Sequence, residues 1–434
     1  MVLIYFSGNK TSRLRYIAKH IFNNVLGVEF DVTDNKKIYS EHKGVLVNYS
    51  DEKELPGIQI TPNGLLSESN VSKQADLHIS KWKDMFVFFA NDKGLIPFDL
   101  FAASFYLLTL YEEHFPEKLD EHGRFRHIES LLYKNNVLEK PIVDRWAYAL
   151  KDVFEQQGYD VSGFKLRQFR MINTFDIDHP FLYRNKGLVK NVGGVVKDLL
   201  KRNFAALKRR ALVQVHIKED PYFEALKMIC ETHMGQNKPY YLFVLLGERG
   251  KYGRTTLYSV KRYYDYIKTL KNVTIGLHPS YKTFRNLEQL MKEKIKLEKI
   301  LGYKVGSSRQ HFLRMQSPET FQELNLAGIK EDFSLAFAHA PGFRSGTAIP
   351  YNFYDIRKDE ETQLFVRPTV MMDSTLIVHQ KLTPQQGFAK ISQLIEECKK
   401  SGGDYLGLWH NSNLAGSKKD NPWIEVFESF VSQL

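Results

Sequence analysis

Thr174-Phe175-Asp176-Ile177-Asp178-His179-Pro180 follows directly on the apolar-leading run Phe169-Arg170-Met171-Ile172-Asn173. A short run of that kind, bounded by a proline, predicts a strand. Side chains i and i+2 of a strand point to the same side. Asp176 and Asp178 therefore emerge together at the strand's end. Neighbouring like charges are costly unless a cation or a shared proton relieves them. The pair could hold a cation or a water. It could equally close an Asx-rich turn, with both carboxylates capping backbone amides.

Downstream of residue 165, strand-like and helix-like stretches alternate. Strands are expected at 240–246, 273–277, 303–307, 332–336, 369–372 and 405–409, and helices at 259–270, 284–301, 318–326, 384–401 and from 427 onward. Such alternation predicts a parallel sheet or barrel. The polar residues with most chemical capacity fall at the downstream ends of these strands: Asp176, Asp178, His278, His311, Asp373 and His410. In a parallel β/α barrel those ends converge on one face, where active sites form. Random scatter would not produce that placement, which favours the cation reading of the aspartate pair.

The segment before residue 150 has its own pattern. Strands are expected at 2–6, 44–49 and 85–89, and helices at 11–25 and from Pro97 to about Phe115. It reads as a smaller α/β domain of unassigned role, followed at 165–434 by the alternating part. The turn Ser7-Gly8-Asn9-Lys10-Thr11 lacks the second glycine and the Gly-Lys-Ser/Thr ending of a phosphate loop.

Composition narrows the class further. A chain of 434 residues with 43% hydrophobic and 26% charged residues is a folded protein of two or more domains. No apolar stretch is long enough to span a bilayer. The apolar start Met1-Val2-Leu3-Ile4-Tyr5-Phe6 is too short, and lacks the basic flank, for a secretory signal. Two cysteines, Cys230 and Cys398, give no disulfide framework, and a reducing cytoplasm is the expected compartment. The net charge of +11 is concentrated between Lys186 and Arg210, where Asp198 is the only acid. Apolar residues interleave there at helical spacing. The segment is expected to be a basic helical insertion, either a solvated helix or a peripheral contact with an anionic membrane. No motif for specific nucleic-acid binding is present.

An aspartate and two histidines suit a divalent transition metal that keeps open positions. Asp178, His278 and His311 supply that set. Asp176 beside it is placed to act as a base, and His410, tuned by Asp373, as an acid. Arg344, between Gly342 and Gly346, could orient Asp176 by a bidentate pair. Each residue also has a plainer reading, as a turn cap, a packed core histidine or a solvated arginine.

These residues, in this order, resemble the motifs of the polysaccharide deacetylase (NodB-homology) superfamily, carbohydrate esterase family four. Thr174-Phe175-Asp176-Ile177-Asp178 is similar to its first motif, Thr-Phe-Asp-Asp-Gly. Gly276-Leu277-His278-Pro279-Ser280 is similar to the second and Gly342-Phe343-Arg344-Ser345-Gly346 to the third. Asp373 and Leu408-Trp409-His410-Asn411 are similar to the fourth and fifth. The chain also looks like a bacterial subgroup with an extra N-terminal domain.

The resemblance implies a distorted (β/α)7-type barrel. It also implies metal-dependent removal of an N-acetyl group from an amino sugar, a polysaccharide or a sugar-conjugate precursor. Zinc is the expected ion, with cobalt, nickel, iron or manganese as alternatives. By the resemblance, Asp176 is the base, Asp178 and His278 are ligands, Arg344 supports the base, and His410 with Asp373 is the acid. Two departures stand out. Ile177 separates the aspartates, and Lys282 takes the place of the second histidine of the second motif. His311 is expected to replace it. The competing reading is a decayed barrel that binds carbohydrate without turning it over.

Overall fold

The computed structural model describes residues 1–8, 12–74, 76–91, 94–184, 188–236, 239–247, 252 and 261–432. Its contacts divide the chain into two units. The first is Met1–Met171, Met315–Val370 and Ile391–Tyr405; the second is Ile172–Arg314, Met371–Lys390 and Leu406–Leu434.

In the first unit, β1 (Val2–Tyr5) is apolar and buried along its whole length, as a parallel strand covered on both faces requires. It pairs in parallel with β2 (Phe30–Thr33) and with β3 (Val45–Asn48), and β3 pairs in parallel with β4 (Ile58–Gln59). Leu3, Tyr5, Tyr39 and Leu46 form one of its core clusters. A short antiparallel ribbon of β5 (Ser80–Trp82) and β6 (Met85–Val87) follows.

The long helix expected from Pro97 is shorter. It spans Leu100–Leu108, begins where the Asp99 carboxylate accepts the Ala102 amide, and ends before Leu110, whose φ of 54° no α-helix accommodates. A 3₁₀ turn over Tyr111–His114 places Glu113 in the interior.

The remaining strands are β7 (Arg170–Ile177), β8 (Tyr240–Leu245), β9 (Val273–His278), β10 (Ser307–Ser308), β11 (Glu331–Asp332), β12 (Tyr351–Asp355), β13 (Glu360–Val366), β14 (Met371–Met372) and β15 (Asp404–His410). In the second unit, β7, β8, β9 and β10 pair in parallel in that order. On the other side of β7 lies β15, which pairs in parallel with β14. This gives a mixed α/β architecture whose strand ends carry the site.

The strands expected at 303–307 and 332–336 shrink to two-residue pairings, β10 and β11. In the first unit, β11 pairs in parallel with β13, and β12 pairs antiparallel to β13. Sequence pattern misses β12 and β13; the leading half of β13 is polar and only partly buried. The basic segment is not one helix but two, Leu188–Leu200 and Phe204–Gln214, broken at Arg202 with φ 51°. Lys186 lies outside the described residues.

Arg344 is tied into the first unit. Its Nε and Nη2 donate to Glu113 Oε1 and Oε2 at 2.8 and 2.6 Å, and its Nη1 donates to the Ala336 carbonyl at 2.8 Å. Both side chains are buried. Removing one partner strands the other charge away from water. Glu113→Ala is therefore expected to cost about 3–5 kcal/mol of unfolding free energy in urea titration. A loss below about 1 kcal/mol, the range of exposed pairs, contradicts this.

Candidate metal centre

The strand β7 runs four residues further than the sequence pattern suggests, so Asp176 lies inside it and Asp178 just beyond its end. β9 ends on His278. The pairing of β10 with β9 continues past both strands. The Arg309 amide donates to the Leu277 carbonyl at 3.0 Å, and the His311 amide to the Pro279 carbonyl at 3.1 Å. Those two bonds carry His278 and His311 to the same end of the sheet as the aspartates.

His278 is fixed by a further bond. Its Nδ1 lies 2.6 Å from the Arg309 carbonyl. A carbonyl only accepts, so Nδ1 must carry the proton. In the neutral ring Nε2 is then a lone pair, and it faces Asp178 Oδ1 at 3.1 Å. The same carboxylate oxygen lies 3.6 Å from His311 Nε2. Asp178 Oδ1 and His278 Nε2 are buried and have no hydrogen-bond partner among the described residues, nor does His311 Nδ1.

Acceptor atoms do not gather in a buried site without something positive among them. A proton on His278 would relieve one pair. A divalent cation relieves all three residues at once, and one ligand atom from each lies within 4.8 Å of the others. An outer hydrogen bond from a histidine's second nitrogen to a backbone carbonyl is how ligating imidazoles are oriented. The donor set, one carboxylate and two imidazoles, fits zinc and neighbouring transition metals.

The electrostatics agree. Burial alone would raise the Asp178 carboxyl, yet His311 and His278 hold it well below the usual carboxylate range. Burial alone would lower His278, yet the carboxylates of Asp176 and Asp178 raise it. These shifts describe the protonated alternative, in which a second proton on His278 Nε2 is shared with Asp178 Oδ1 and a cation would displace it.

Asp176 sits in a different environment. Its Oδ1 accepts from Arg309 Nη1 at 3.0 Å, with both groups buried, and its Oδ2 lies 3.7 Å from His278 Nε2. The Arg309 guanidinium lies over the Phe243 ring, 4.7 Å from its centroid. Phe243 has room for this because its neighbour on β9 is Gly276. A Cβ built on Gly276 would fall 2.5 Å from the Phe243 ring.

The expected pairing of Arg344 with Asp176 is thus not what the structure shows. Arg344 pairs with Glu113, and the guanidinium against Asp176 is that of Arg309. Arg309 was legible as a candidate, since it stands at a strand end two residues before His311.

Asp373 follows β14 and His410 ends β15, on adjacent strands. Asp373 Oδ1 lies 2.7 Å from His410 Nδ1, and Asp373 Oδ2 accepts the His410 amide at 2.7 Å. Burial lowers the His410 pKa, but Asp373, with smaller contributions from Asp178 and Asp176, lifts it to about 10. Asn411, unremarked in the sequence beyond its motif, donates to the carbonyls of His179 and Tyr222 at 3.0 and 3.1 Å. It ties the chain after Asp178 to the end of β15. Lys282 is exposed in a 3₁₀ turn and is not among the three grouped residues.

Residues 2–159 match a family model described as a family of unknown function (DUF7033), which covers less than half of the chain. No curated protein matches the sequence. Solved structures similar to it include these three. A putative polysaccharide deacetylase from Mycobacterium smegmatis is 13% identical, with 62% of this chain and 84% of that chain covered at a TM-score of 0.40. The Puue allantoinase is 9% identical, with 61% and 83% covered at a TM-score of 0.39. A probable polysaccharide deacetylase from Pseudomonas aeruginosa PAO1 is 10% identical, with 61% and 84% covered at a TM-score of 0.39. At identities and TM-scores this low, chemistry has to be read from this chain's own residues.

Two measurements probe the centre. Elemental analysis of the purified protein is expected to find a divalent ion that His278→Ala loses. His311→Ala should weaken it by more than the roughly 10–100-fold that loss of an outer partner costs. Unchanged stoichiometry and affinity in His311→Ala would remove His311 from the ligand set. Binding should also release protons and weaken on acidification. His278, raised in the free site, must give up its proton to become a ligand.

Proposed function

We propose that this protein is a metal-dependent hydrolase that removes an N-acetyl group from an amino sugar, in a polysaccharide or a sugar-conjugate precursor. The observation that carries the reading is the convergence of Asp178, His278 and His311, one ligand atom from each within 4.8 Å of the others, beside a second, guanidinium-held carboxylate. Two aspartates in one site with different partners are suited to different tasks.

In this reading Asp178, His278 and His311 hold the cation. When bound, it would polarise the acyl carbonyl and make a water easier to deprotonate. Asp176 takes the proton from the attacking water. Arg309 keeps Asp176 in place through its hydrogen bond and its stacked seat on Phe243. His410, charged because Asp373 stands behind it, gives a proton to the departing amine. The fold proposed around these residues is a distorted β/α barrel at 165–434, behind an N-terminal α/β part at 1–150 whose role stays outside the reading. The proposed setting is the cytoplasm.

Acetate release from a panel of N-acetylated amino-sugar oligomers, with and without chelator, tests the reading. Turnover is expected to stop with chelator and return with zinc. Asp176→Asn is expected to lower kcat by roughly 10²–10⁴ without releasing the ion. His410→Gln should lower kcat by a comparable factor. It should also abolish the alkaline fall in rate, since the acid donor is lost as pH rises through the His410 pKa. A protein that purifies metal-free and binds glycans unchanged by chelator is instead a carbohydrate-binding barrel without hydrolase activity.

A further inference from the structure

The helix Leu188–Leu200 presents Val192, Val196, Leu199 and Leu200 to solvent. The spacing i, i+4, i+7, i+8 puts all four on one face. The turn into the next helix continues that surface, with Leu200 81% and Phe204 68% exposed. Across the helices Leu188–Leu200 and Phe204–Gln214, Val213 is the one apolar residue fully buried among the described side chains. An amphipathic helix normally turns its apolar face inward. Here it faces out.

The charges around this face are of one sign. Lys197, Lys201, Arg202 and Lys208 are exposed. Asp198, the only acid between residues 188 and 218, is neutralised by Arg210 at 2.8 Å. Arg209 is paired with Glu224.

From this we infer that the hairpin of Leu188–Leu200 and Phe204–Gln214 seats on an anionic lipid surface. Its tip, Leu199 to Phe204, would sink apolar side chains to the acyl boundary, while Lys197, Lys201, Arg202 and Lys208 meet the head groups. A second copy of the chain is a poorer fit. A two-fold contact on this face would set the same unpaired cations against themselves.

The second helix of the hairpin also walls a cleft of about 740 Å³, whose lining includes Tyr183, Lys208, Arg209, Tyr222, Ser412 and Gly416. Asn411 bonds the Tyr222 carbonyl, so one wall of the cleft is joined to the strand that ends on His410. On the reading under Proposed function, a sugar head group rising from the membrane would enter beside the acid.

The test uses the full chain and does not depend on turnover. Co-sedimentation is measured with vesicles of phosphatidylcholine alone and of phosphatidylcholine mixed with phosphatidylglycerol. Binding to the anionic vesicles is expected, falling with added salt. Leu200→Ser/Phe204→Ser and Lys201→Gln/Arg202→Gln should each weaken it by roughly tenfold or more. Asp176→Asn should bind as the unaltered protein does, which separates this inference from the hydrolase reading. Absence of binding to anionic vesicles overturns it, as does binding unchanged in Leu200→Ser/Phe204→Ser. A dimer in light scattering that dissociates in that same variant assigns the face to a second copy and also overturns it.

Discussion

A single hydrogen bond decides what the centre can be. His278 gives its Nδ1 proton to the Arg309 carbonyl at 2.6 Å, which leaves Nε2 as a lone pair aimed at a carboxylate oxygen 3.1 Å away. Two acceptors at that distance repel each other in a buried site. The contact is stable only with a positive charge supplied from somewhere. The imidazole can supply it by taking a second proton, or a cation can. His311 lies within 3.6 Å of the same oxygen, so relief by protons takes one on each ring, whereas a single cation serves both imidazoles and the carboxylate.

The bond exists because of how β10 meets β9. The two strands are registered by one residue pair, Ser308 against Leu277. The backbone beyond Ser308 keeps following β9 into its loop. Arg309 thereby does two things with one residue. Its carbonyl sets the tautomer of His278, and its guanidinium reaches across to Asp176. The division between the aspartates follows. Asp176 faces a permanent cation, which no change of pH in the working range removes. Asp178 faces two imidazoles, whose charge depends on what they bind.

Much of this was visible in the chain before folding. The strands that carry Asp176, His278 and His410 follow from apolar runs of strand length, most of whose residues are buried. Of the chemically capable residues placed at those ends, Asp178, His278 and His311 come together, with Asp176 beside them. Arg344 was misread for a physical reason. Flanking glycines signal a backbone that needs room, but not which charge the side chain meets, and here that charge is Glu113, distant in sequence but in the same unit. The length of β7 was understated because an aspartate inside a strand looks like a terminator unless its partner, Arg309, is known. β13 was missed because its partly wetted, acid-led first half lacks the apolar alternation on which pattern reading depends.

His410 shows how the parts depend on one another. With Asp373 behind it and the charges of Asp178 and Asp176 acting on it, its pKa reaches about 10. An acid that holds its proton that firmly is fully charged at neutral pH but donates reluctantly. Part of the lift comes from Asp178, whose charge is the one a cation would compensate. Asp373 would keep its own share, because its two bonds to His410 do not involve the centre. On the hydrolase reading, a cation in the centre would offset the Asp178 share of that lift and leave the imidazole oriented by Asp373. On that reading the ligand site and the proposed acid would be coupled through the charge of Asp178. The aspartate that the sequence offered as half of a pair would then be the point at which the proposed binding and proton donation are joined.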